Sequence, residues 1–199
     1  MNARILFSVL TLGAVSMVSA QLDVFTNVGT VQNAAVPILS RAGWKDLGSG
    51  VGFYGSSQIE LPTAVFVPST VKYSISGKAG NRVDQALISS FIASPRDLTA
   101  GRAKLEAAAT QWFKSVGKPV SAGLVTAIKT GKPFQSTAGG LSTTYVVERG
   151  AGNPIKQPDG TSYRCTTMDL TINPLIRRVE SLSPCCLGSN RMTFSRSPE

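Results

Sequence analysis

Apolar Val71, Tyr73 and Ile75 alternate with polar Lys72, Ser74 and Ser76, the period of two of a strand with one face buried. Around them, residues 48–77 are rich in glycine and in β-branched or aromatic side chains, and Leu61-Pro62 and Pro68-Ser69 break the stretch. This predicts short strands over 52–60, 63–67 and 70–76 in an antiparallel meander. Residues 83–93, apolar at Leu87, Ile88, Phe91 and Ile92, admit a strand or a helical turn, and strand is the preferred reading. Strand character returns over 142–148 and 162–172. The connection between them carries Gly150, Gly152, Pro154, Pro158 and Asp159-Gly160, which predicts a hairpin with a long loop.

Three stretches have helical periodicity instead. Val28, Val31, Ala35 and Leu39 share one face of a helix running to about residue 41. Pro37, which lacks an N–H, weakens that helix, Gly43 ends it, and Trp44 follows as a lid on the core. After Pro95, either Asp97 or Thr99 can cap a helix whose stripe is Leu105, Ala108, Ala109, Trp112 and Val116, with Arg102, Lys104 and Lys114 on its polar side. Gly117-Lys118-Pro119 closes it, and Gly131-Lys132-Pro133 closes a second helix over 120–130. In both places glycine supplies a left-handed turn, lysine faces the negative end of the dipole and proline forbids continuation. Helix, strands, two helices and two strands together predict an α+β fold. Its antiparallel sheet would have about five to six strands, with the N-terminal helix and the central helix pair on one face.

The first residues change the picture of where this happens. Arg4, the apolar run 5–15 and the small-residue exit Val18-Ser19-Ala20 have the order of a cleavable signal peptide over residues 1–20. The apolar run is short of the roughly 20 residues needed to span a bilayer. The expected product is a single α+β domain over 21–194 with a flexible tail at 195–199, secreted or periplasmic, in a bacterial style. The formal net charge is +9, or +8 once Arg4 leaves with the signal. The basic residues are scattered from Arg41 to Arg196 and only Arg177 and Arg178 are adjacent, so the expectation is a uniform basic field. Such a field favours solubility and draws in an anionic envelope component or another protein; no nucleic acid is expected.

Candidate chemistry is sparse. The chain has no histidine, which removes Ser-His-Asp and Cys-His centres and histidine metal sites. Cys165, Cys185 and Cys186 lack the spacing of a zinc site. In an oxidising compartment the favoured bond joins Cys165 to one of the adjacent pair, closing a loop of about 20 residues worth about 3 kcal/mol. A bond between Cys185 and Cys186 and a set of free thiols are the alternatives. Gly50-Val51-Gly52-Phe53-Tyr54-Gly55 has dinucleotide spacing, but strand-like residues follow where a helix is required. Ser69/Lys72 and Ser115/Lys118, upstream of Lys129-Thr130-Gly131, match penicillin-binding motifs in spacing but not in context. Asp46, Glu60, Asp84, Asp97, Glu106, Glu148, Asp159 and Asp169 are the acids from which a carboxylate pair would be drawn. Among the aromatics Tyr54 lies in a glycine-rich turn and, with Arg177 and Arg178, is a candidate surface contact. No catalytic residue, metal or cofactor is assigned. The reading is a non-catalytic binding or accessory protein with a basic surface; a carboxylate-dependent hydrolase and a carrier of a lipid or small apolar ligand in a sheet-helix pocket are the alternatives.

Overall fold

A computed structural model describes residues 24–48, 52–62, 67–78 and 82–175. The signal sequence expected at 1–20, most of the strand expected at 63–67, the tail expected at 195–199, Arg177, Arg178, Cys185 and Cys186 lie outside the described residues. Helix α1 (Val28–Asn33) precedes strands β1 (Lys45–Asp46), β2 (Phe53–Glu60), β3 (Thr70–Gly77) and β4 (Gln85–Ile92). Helices α2 (Leu98–Ser115) and α3 (Ala122–Thr130) follow, and then strands β5 (Phe134–Ala138), β6 (Leu141–Lys156) and β7 (Ser162–Pro174).

All seven strands form one antiparallel sheet in the order β1-β2-β3-β4-β7-β6-β5. The first four make a meander that ends at the sheet centre. The two helices then carry the chain across one face to the far edge, and β5-β6-β7 return inward until Leu170 stands opposite Ile88. The protein is α+β as expected, with seven described strands instead of five or six.

Register and alternation put Val71, Tyr73, Ile75, Ala86, Ile88, Ile92, Met168, Leu170, Ile172, Thr143 and Tyr145 on the same face, and all are buried. The α2 stripe of Leu105, Ala108, Ala109 and Trp112 closes the core over them. Gly101 permits the close approach, since a Cβ there would sit 2.4 Å from Ile92 Cδ1. At the centre, Trp112 Nε1 donates to Tyr73 Oη (3.0 Å), which donates to the Val31 carbonyl (2.5 Å). One buried phenol thus ties β3, α2 and α1 together, and loss of solvent raises its pKa far above the ordinary value.

Three expectations are corrected. The N-terminal helix ends at Asn33 instead of running to residue 41; turns follow through Pro37, yet Val31, Ala35 and Leu39 are buried as the stripe requires. The long loop after residue 148 is instead strand, because β6 continues to Lys156 with register shifts between Arg149 and Ala151 and between Ala151 and Ile155. Gly150 and Gly152 have φ of 80° and 72°, so the glycines that suggest a loop serve bulges. Strands β1 and β5 complete the count.

Candidate functional site

The helical layer is where charge collects. Residues 98–132 hold six basic residues, Arg102, Lys104, Lys114, Lys118, Lys129 and Lys132, against the single acid Glu106. The other described residues hold nine basic and seven acidic groups. Amphipathicity produces this arrangement: α2 and α3 bury one stripe each, so their long cations are left at the margins and ends of the layer. Lys114, Lys129 and Lys132 are exposed and Lys118 is half-buried. Lys129 Nζ pairs with Glu106 Oε1 at 3.2 Å, which neutralises the one acid of the layer.

Arg102 is held differently. Its Nη1 donates to the Lys129 carbonyl (3.3 Å) at the end of α3, a favourable place for a cation beside the negative end of the helix dipole. Its Nε is buried without a hydrogen-bond partner among the described residues, as is Tyr145 Oη. Burial raises the Tyr145 pKa, with a further push from Asp169, against opposition from Arg102 and Arg149; the phenol is protonated at neutral pH.

The opposite face carries no described helix. Register places Tyr54, Ser56, Gln58 and Glu60 of β2 beside Ser76, Ser74, Lys72 and Thr70 of β3. The rows continue through Ser89, Thr167, Asp169, Thr171, Thr144 and Glu148. Hydroxyls are the commonest groups on this face, interrupted by Leu87, Phe91 and Val146, and its charges are Lys72 and Lys45, the latter opposite Tyr54, against Glu60, Asp169 and Glu148. Tyr54 is 36% exposed, and Lys72 Nζ lies 5.6 Å above its ring, a cation–π contact. Burial pushes the Tyr54 phenol up, but hydrogen bonds from Lys72, Ser56 and Ser74 and the Lys72 charge bring it below its ordinary value.

Of the eight candidate acids, only Asp169 and Glu148 come together. Asp97 stands at the α2 N-cap position but is buried and takes the Ser69 hydroxyl (2.6 Å) instead of capping the helix. Asp84 meets Arg82 and the Lys78 N–H, Asp46 accepts from Gly48 N–H, and Asp159 closes the Asp159-Gly160 turn through Thr161. Asp169 has its pKa raised, first by burial and then by the Glu148 charge. That is the electrostatic signature of an acid pair. The two stand on a sheet face, with no described element opposite to wall off water from a substrate.

The remaining motifs resolve into structure. Ser69 is buried, donating to Asp97 and accepting from Ala93 N–H (3.0 Å). Gly52-Phe53-Tyr54-Gly55 runs into strand β2. Gly55 packs so tightly on the Gly43 backbone that a Cβ would lie 1.5 Å from its carbonyl oxygen. Cys165 is buried on β7 and free among the described residues, and burial raises its thiol pKa; its expected partners are outside them.

One feature was expected only in kind, as the sheet-helix pocket of the carrier alternative, and not in place. Between the α2–α3 link, α3 and the β5–β6 hairpin lies an apolar cleft formed by Phe113, Leu124, Phe134, Ala138 and Leu141, with Lys118 also lining it. A charge count taken segment by segment would have singled out 98–132; no linear signal marks the cleft, whose walls come from four elements and a link. Comparison with protein-family models, curated proteins and solved structures gave no match.

Proposed function

We propose that this is an exported, non-catalytic binding protein of the envelope or extracellular space whose helical layer engages an anionic partner. The observation that carries the reading is the charge asymmetry: six cations to one acid in the layer that covers the core, two cations to three acids on the open face. A basic field kept only for solubility has no need to be one-sided. A one-sided field orients an approaching anion and accelerates its encounter. Catalysis by the acid pair is the weaker reading, since Asp169 and Glu148 lack a described wall opposite them.

Retention on immobilised heparin and on anionic phosphatidylglycerol vesicles, measured from low to physiological salt, tests the proposal. Binding that weakens steeply with salt supports it. No retention on either surface at low salt would remove the reading.

A further inference from the structure

The edge of the sheet beside the helical layer is open among the described residues. Strand β5 is the last in the order and pairs only with β6 among the described residues. Its hairpin turns at Gly139-Gly140, whose φ values of 60° and 81° fit a two-residue turn of the primed type. In such a hairpin Ala138 and Leu141 form a hydrogen-bonded pair. The alternation then commits Phe134 and Ser136 to β6 and turns the backbone N–H and C=O of Gln135 and Thr137 outward. Both of these residues are exposed.

The side chains of Phe134, Ser136 and Ala138, on the helix face of this edge strand, also line the cleft. The cleft has a volume of about 70 Å³, more than a single water needs, which leaves room for an apolar side chain. Lys118 stands at its lining and exposed Lys132 at the start of β5, and no acidic partner for either is described.

We infer that the outer edge of β5 binds one extended acidic peptide segment of a partner protein, by strand addition to Gln135 and Thr137, with one apolar side chain seated in the cleft. Main-chain bonds supply the affinity, and the pocket on alternate residues supplies the selection. Pairing with Gln135 and Thr137 places the peptide residue opposite Ser136 on the helix face, toward the cleft. Lys118 and Lys132 set the sign of the flanking residues. They also oppose a second copy of this chain in the same place, because an antiparallel β5–β5 pair would bring like charges together. The inference rests on the proposed function only for the charge of the partner.

The test selects random phage-displayed hexapeptides on the immobilised mature protein at low salt. The expected consensus has a central large apolar residue flanked by Asp or Glu, and the synthetic consensus peptide shifts the Gln135 and Thr137 amide resonances. Thr137→Pro removes an outward N–H without touching a bond to β6 and weakens the peptide about 3- to 10-fold. Ala138→Phe, at an exposed position, fills the cleft and weakens it by about 10-fold or more. Heparin retention by both variants stays at the wild-type value; general loss of heparin binding in the wild-type protein would instead indict the charge reading. No enriched consensus, or a peptide unaffected by Ala138→Phe, overturns strand addition. Self-association that competes with the peptide and is lost in Thr137→Pro overturns the choice of partner in favour of a second copy.

Discussion

The two faces of the sheet obey the same strand alternation and do opposite work. On the covered face, Tyr73, Ile88, Leu170 and Tyr145 lie under α1, α2 and α3, and the hydrophobic effect holds the layers together. On the open face, the intervening residues are mainly serine, threonine and charged groups at half burial. Stability is therefore concentrated on one side, together with the basic layer that the core anchors. The other side is free to be polar because an antiparallel sheet needs only one buried face.

This contrast is easiest to break at the core. Trp112→Ala should destabilise the protein by about 3–5 kcal/mol in urea unfolding, through lost burial and the cavity left behind. Tyr73→Phe should follow at about 1–3 kcal/mol, because the Trp112 N–H loses its acceptor in a buried site and the Val31 carbonyl keeps only its bond from the Ala34 N–H. A loss below about 0.5 kcal/mol for either would mean that the layers are not tied through this phenol.

Effects on the open face should be smaller. Asp169 has a folded pKa above its unfolded value, so its protonated form suits the folded state. The resulting stabilisation is complete below the unfolded pKa and is lost as pH rises through the folded pKa. Asp169→Asn should accordingly raise Tm at pH 7 by about 1–2 °C and bring no such gain in acid, where wild-type Asp169 is already neutral. A drop in Tm at pH 7 would show that the ionised carboxylate has a favourable partner on this face. Ser89→Ala should change stability least, within about 0.5 kcal/mol in either direction; a core-sized loss would mean that something packs over this face.

The sequence pattern gave away the elements that make the core, since Val71, Tyr73 and Ile75 and the stripe from Leu105 to Trp112 each report a buried face directly. Edge strand β5 did not declare itself: Phe-Gln-Ser-Thr-Ala has one large apolar residue because most of its side chains meet solvent. The bulged half of β6 imitated a loop, because a bulge and a turn both use glycine at positive φ. Cation positions looked scattered when read along the whole chain from Arg41 to Arg196, although a count by segment picks out 98–132. Only the return of α3 along α2, marked by the Arg102 bond to the Lys129 carbonyl, makes one layer of them. The place of the cleft was beyond reach for the same reason, with Phe113 and Phe134 meeting through tertiary packing.

The most direct measurement compares heparin retention of two variants with the same loss of charge. One carries Lys114→Gln, Lys118→Gln, Lys129→Gln and Lys132→Gln on the helical layer; the other carries Lys45→Gln, Lys78→Gln, Lys156→Gln and Arg164→Gln at exposed positions elsewhere. The asymmetric field predicts that the first elutes at much lower salt than the second, which stays close to wild type. Equal losses would show that only net charge matters and would contradict the assignment of the helical layer as the binding face.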